Sequence, residues 1–112
     1  MTTLRSHLVY IRSLPCLICG RAPSEAAHVR YSDARAAKVN PGMGQKPEDR
    51  WTVPVCAEHH RGLQGQHSSG EKAWWEGHRI DPIPIASYLW GVSGNYKAGC
   101  TIVRHNFFIV SG

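Results

Sequence analysis

Cys16-Leu17-Ile18-Cys19 and, after 36 intervening residues, Cys56-Ala57-Glu58-His59-His60 are the stretches whose reading decides the fold. Each supplies a close pair of metal-type donors. Zinc takes four tetrahedral thiolate and imidazole ligands, and C-x-x-C followed by C-x-x-H provides them from two separate segments. Gly20 closes the first pair into a tight turn. The second pair lies at i and i+3, so the first turn of a helix puts both donors on one side. His60, at i+4 from Cys56, is compatible with the same face, so spacing alone leaves His59 and His60 interchangeable. Adjacent helical residues project about 100° apart, so the two cannot share one site. Cys100 stands in apolar surroundings and reads as a core thiol.

The rest of the chain explains why a metal is needed. It has 112 residues, enough for one small domain, and 18 of them are Gly or Pro (11 and 7). A core of this size is commonly stapled by metal or disulfides. Residues 1–12 hold no apolar stretch followed by a small-residue cleavage site, and no segment reaches the roughly 18 apolar residues of a membrane span. The expectation is a cytoplasmic protein without membrane contact, its cysteines reduced and free for metal.

Around the metal pairs, Leu4, Leu8, Ile11 and Leu14 recur at helical steps, and Pro15 ends that helix. Residues 25–31 and 51–55 read as strands, with Pro54 at an edge or end. Residues 32–50 form a long polar loop broken by Asn40-Pro41-Gly42 and Gly44. A helix starts near Cys56. Another starts at Ser68, with Glu71 completing a capping box, and stops before Pro82. One of Trp74 and Trp75 packs inward and the other faces a groove. Ile85–Trp90 adds a short helix. From Gly91 the β-branched and aromatic run Thr101–Val110 predicts a strand, paired in a hairpin with residues 96–98.

Thirteen Lys and Arg against eight acids give a net charge of +5. Nine of the thirteen are Arg, whose planar fork suits phosphate. The balance points to a polyanion partner.

The ordered set Cys16-x-x-Cys19, Ala27-His28-Val29, Gly42-x-Gly44-x-Lys46-x-x-Asp49, Thr52-Val-Pro-Val-Cys56, His59-His60-Arg61 and Gly70-Glu71-x-x-x-Trp75 resembles an HNH endonuclease. The likeness is strongest to the branch that includes the phage recombination-enhancement nucleases, and it runs from about Ser6 to Trp90. It implies a small α+β fold: a ββα-metal core stapled by a structural zinc, with flanking helices. Residues 1–92 would be the nuclease domain, with an N-terminal helix and C-terminal helices. The likeness does not extend to residues 93–112, a tail whose role is left open between an added strand, a dimer contact and a poorly ordered end.

The resemblance also implies roles. Cys16, Cys19, Cys56 and His59 hold the structural zinc. His28 is the general base that activates water. His60 binds a catalytic divalent ion (Mg, Mn or Zn), and His67 completes that site across an insertion of three residues, with Gln64 at the usual step. Ala27 stands where many members place a metal-binding Asp or His. Trp51 falls near the position of the middle Asn that steers the base, and Asp49 is the favoured substitute, ahead of Asn40. DNA is the implied partner, contacted by Arg30, Lys46, Arg50 and Arg61, with Arg35 and Lys38 nearby. Phosphate contacts of that kind imply little sequence specificity and a strong salt dependence. A recombination protein is the implied protein partner. The oligomeric state is left open. A degenerate site on a zinc-stabilised nucleic-acid-binding module is the competing expectation.

Overall fold

A computed structural model describes residues 4–31, 49–66 and 68–111. Among them the chain forms a small α+β fold with a two-stranded sheet and five helices, in the order α1 (Leu4–Ser13), β1 (Glu25–His28), β2 (Thr52–Val55), α2 (Ala57–Gln64), α3 (Ser68–Gly77), α4 (Pro82–Gly91) and α5 (Tyr96–Ser111).

Helix α1 buries His7, Tyr10, Ile11 and, just past its end, Leu14. These steps of three, one and three make one apolar stripe. The stripe is turned from the one read in the leucines, since Leu8 is only partly covered and His7 occupies the core side in its place. Imidazole edges carry enough carbon to pack, provided a polar partner is found for a ring nitrogen; here Ser93 provides it.

Strands β1 and β2 run antiparallel, with Glu25 opposite Val55, Ala26 opposite Pro54, Ala27 opposite Val53 and His28 opposite Thr52. Val29 N–H donates to the Trp51 carbonyl at 2.8 Å and prolongs the ladder by one residue. Hydrogen-bonded pairs alternate with non-bonded ones, so Pro54 turns its nitrogen away from β1, where no ladder donor is required. Its carbonyl faces the same free edge and accepts the Leu17 N–H at 2.9 Å. That bond seats the Cys16–Cys19 turn against β2. Ala27, Val29, Val53 and Val55 bury completely against α1 and α4.

Helix α3 contributes Trp75, almost wholly buried, while Trp74 is half-covered, the division expected for consecutive tryptophans. It ends in a left-handed residue, Arg79 at φ 59°, with Ile80 N–H reaching back to the Trp75 carbonyl at 3.2 Å. This is the six-to-one bond of a Schellman stop. Pro82 then opens α4 instead of merely ending what precedes it. Asp81 caps α4 by accepting the Ile83 N–H at 3.2 Å, and a proline in the first turn sacrifices no helical bond.

The tail corrects the expected strand. Residues 96–111 are helical. The β-branched run outweighed two quieter signals. Asn95 caps the helix, its Oδ1 accepting the Ala98 N–H at 3.0 Å. Gly99, Cys100 and Val103 repeat at helical steps and lie buried. Gly99 lets the helix backbone close on Tyr10 and Leu14 of α1; a Cβ there would stand 2.8 Å from Leu14 Cδ2. Tyr10 Oη donates to the Asn95 carbonyl at 2.9 Å, so the first and last helices are also joined by a polar contact.

Candidate metal centre and neighbouring histidines

The Cys16–Cys19 turn is built by its own backbone. Cys16 N–H donates to the Arg21 carbonyl and Gly20 N–H to the Cys16 carbonyl, each at 2.8 Å, and Gly20 takes φ 76°, a conformation open to glycine. Facing it, Cys56 occupies the N-cap of α2 in an extended conformation and makes no side-chain cap bond. Its sulfur is turned instead toward the other thiols.

The ligand atoms of Cys16, Cys19, Cys56 and His59 all lie within 4.8 Å of one another. The Cys19 and Cys56 sulfurs are 3.7 Å apart, and His59 Nδ1 is 3.2 Å from Cys56 Sγ and 4.0 Å from Cys16 Sγ. Zinc–sulfur bonds of about 2.3 Å in a tetrahedron put sulfurs about 3.8 Å apart. The donor set therefore fits a single ion such as zinc, and the expected four ligands are the four that converge. The geometry also separates the two adjacent histidines. His59 faces the thiols, while His60 Nδ1 pairs with Glu25 Oε1 at 2.6 Å.

The surroundings favour thiolates unevenly. Burial pushes the Cys16 thiol up, against a 3.4 Å contact from the Ile18 N–H. Burial also acts to raise Cys19, but hydrogen bonds from the Arg21 backbone and guanidinium, and from Cys16 and Cys56, bring it down to about 6. Arg21 is held in turn by Glu58 at 2.9 Å. On the other flank His78 stands edge-on to His59, with ring centroids 6.1 Å apart, and Trp74 packs on His78 at 4.5 Å. Cys100 is buried away from this group and is a free thiol.

At the far end of β1, His28 Nε2 and Asp49 Oδ1 lie 2.7 Å apart, both side chains about four-fifths covered. The Asp49 carbonyl is anchored by the Thr52 hydroxyl at 2.7 Å, which holds the residue beside the strand. An imidazole that donates Nε2–H to a carboxylate carries its free lone pair on Nδ1. That nitrogen has no hydrogen-bond partner among the described residues. Glu25 and His28 are three residues apart, about 10 Å along a strand. The His60–Glu25 pair and the His28–Asp49 pair thus mark opposite ends of β1. Among the described residues, only the Cys16, Cys19, Cys56 and His59 set gathers three or more metal-type donors. Of the expected catalytic residues, His28 and Asp49 are brought together, while His60 pairs with Glu25.

The basic residues divide. Arg30 is engaged inside the fold: its Nε meets Glu71 Oε2 at 3.1 Å, and its Nη2 donates to the carbonyls of Gln66 at 3.0 Å and Leu63 at 3.4 Å. Its backbone N–H adds 3.2 and 3.3 Å contacts to the fully buried Glu71 carboxylate. Arg50 lies 4.6 Å over the Trp51 ring. Arg61 is exposed on α2. His67, Lys46, Arg35, Lys38 and the Gly42–Lys46 stretch lie outside the described residues. Ala27 and Trp51 are buried.

Sequence spacing missed Glu25, Glu71 and His7. Glu25 meets His60 only through the strand register, and Glu71 was assigned to a cap. His7 is wholly buried and held neutral by burial, with Asp49 pulling in the other direction.

A family model described as a protein of unknown function, DUF968, matches residues 2–82. The chain belongs to the DUF968 family. The DUF968 match spans α1 to α3 and includes the four clustered ligands and both histidine–carboxylate pairs. All of α4 after Pro82, and all of α5, lie past its end. No curated protein and no solved structure matches the chain.

Proposed function

We propose that this chain is a metal-dependent DNA endonuclease of the HNH type, hydrolysing phosphodiester bonds with little sequence choice. The observation that carries the reading is His28, at the end of a hairpin stapled to α2 by a four-donor metal cluster, with its Nε2 tied to Asp49 at 2.7 Å. In-line hydrolysis requires a base for water near neutral pH. His28 Nδ1 takes that proton, and the Asp49 carboxylate stabilises the imidazolium that forms. Covering most of both side chains strengthens that stabilisation. A catalytic divalent ion (Mg, Mn or Zn), when bound, supplies charge stabilisation at the phosphoryl oxygens and the leaving 3′ oxygen. The resemblance assigns His60 and His67 to hold it, and the pairing with Glu25 keeps His60 at the other end of β1 from His28. The cluster of Cys16, Cys19, Cys56 and His59 holds structural zinc, which clamps α2 to the hairpin. Arg50, Arg61, Lys46 and Arg30, whose Nη1 has no partner among the described residues, neutralise phosphates. A cytoplasmic setting and a recombination protein as partner complete the proposal.

One observation favours a second reading, a zinc-stabilised nucleic-acid-binding module with a degenerate site. Ala27 supplies no ligand and is wholly buried. Plasmid nicking under a titration of Mg, Mn and Zn separates the two. Wild type should nick, and His28→Ala should slow nicking at least ~100-fold, within the usual range for a general base. Nicking by His28→Ala at the wild-type rate removes His28 from the chemistry. Plasmid binding without nicking under every ion establishes the second reading.

A further inference from the structure

The segment after the family match builds a feature that the nuclease reading does not use. Helices α4 and α5 enclose a cleft of about 600 Å³, within the range of ligand sites. Ile85, Tyr88, Val92, Thr101, Ile102 and His105 line it. Tyr88 is 65% exposed, unusual for a ring of that size beside an apolar cavity. Thr101 also marks a strip on α5. Lys97, Thr101 and Arg104 recur at steps of four and three, and with His105 all are exposed. Lys97 and Arg104 make no ion pair among the described residues. Asp81, which lines one end of the cleft while capping α4, is the last acidic residue of the chain. The remaining 31 residues contain Lys97, Arg104 and His105 and no carboxylate side chain.

An apolar slot with an exposed tyrosine and a parallel row of cations matches one chemistry in particular. A nucleobase offers a flat apolar face to the ring, and its phosphates bring the negative charge that the row lacks. In a duplex that face is covered by stacking on the neighbouring pairs, so the strand must be unpaired. We propose that the α4–α5 cleft is an accessory site for single-stranded nucleic acid, in which an unpaired base stacks on Tyr88 and the adjoining phosphates lie along Lys97 and Arg104. The proposal extends the nucleic-acid reading of the core but uses none of its residues. It gives the protein a means of engaging strands that are partly open.

Fluorescence anisotropy of a labelled oligothymidylate, and of a duplex of equal length, tests this without added divalent ion. Tyr88→Ala should weaken single-strand binding about tenfold, and Tyr88→Trp should restore it, while the duplex changes little. Lys97→Gln with Arg104→Gln should lower the slope of log K against log salt by about 1.4, two single-strand phosphates' worth. Tyr88 is exposed, and melting curves check that its truncation leaves the fold intact. Wild-type affinity in both variants overturns the proposal, as does the absence of any single-strand binding by wild type. Sedimentation showing a dimer that Tyr88→Ala dissolves overturns it too, by filling the cleft with a second copy. Plasmid nicking run in parallel separates the outcomes. Nicking with unchanged single-strand binding in Tyr88→Ala defeats the cleft alone; its absence, with Tyr88-dependent binding, defeats the nuclease alone.

Discussion

Stripping metal from the purified protein should unfold it, and the margin follows from the structure. The cluster joins the Cys16–Cys19 turn to the first turn of α2, and α2 buries only one side chain of its own, Leu63. Burying a leucine is worth about 1.5–3 kcal/mol, less than the ordering cost of eight helical residues at about 1–2 kcal/mol each. The helix therefore depends on its anchors. A structural zinc contributes about 10–16 kcal/mol at pH 7 in small zinc-folded peptides. A chain of 112 residues at about 0.05–0.15 kcal/mol per residue has roughly 6–17 kcal/mol of stability in total. Loss of the ion should remove most or all of that. A chelator that draws zinc below a tenth of an equivalent should abolish the near-ultraviolet circular dichroism and the cooperative melt, and zinc should restore both. Cys56→Ser should do the same without chelator, whereas Cys100→Ser should retain one equivalent of metal. A melting curve unchanged after stripping, with metal content measured on the same sample, would refute the argument.

Two further outcomes follow. Burial lowers His7 from its usual 6.5, so the unfolded chain binds its proton first and stability falls as pH drops below that value until folded His7 titrates. The melting-temperature gap between wild type and His7→Phe should narrow from pH 7.5 to pH 5, and a constant gap would contradict the assignment. Gly99→Ala should destabilise by about 1–3 kcal/mol in denaturant titrations, because the new methyl collides with Tyr10 Oη and Leu14 Cδ2; a neutral effect would mean that α5 does not seat on α1 as described.

Much of the scaffold of this site was legible in the chain itself, for local reasons. The two close ligand pairs are dictated by turn and helix geometry over four residues each, and α1 and the two strands follow from short-range periodicity. What was hidden depends on partners far away in sequence. Glu71 looks like a capping residue, yet it lies fully buried against Arg30, 41 residues distant. His7 looks polar and solvated, yet Ser93, 86 residues on, takes its Nδ1 at 2.7 Å. The tail misled because β-branched side chains signal strands only on average, and here packing on α1 and the Asn95 cap decide for helix. Spacing left His59 and His60 interchangeable, and the thiols facing His59 and the Glu25 carboxylate facing His60 separate them.

The polar contacts account for how so little sheet holds so many helices in place. The two short strands, with Val29 just past β1, bury Ala27, Val29, Val53 and Val55, too little aliphatic surface to orient α2 and α3 by packing alone. Arg30 meets that need from one side chain just past β1. It ties Glu71 of α3 and the carbonyls at the end of α2, where the helix dipole favours a cation. The four-donor cluster, when it holds a metal, secures the opposite end of α2. With both ends of that helix fixed to the hairpin, His60 is held against β1, although neither α2 nor β1 has a core of its own. The same economy explains why Arg30 is largely occupied: removing its guanidinium would take one cation from the buried Glu71 carboxylate, a loss below the roughly 3–5 kcal/mol of a fully buried pair because the Arg30 side chain is 38% exposed. Its first duty is to set the angle between α2 and α3.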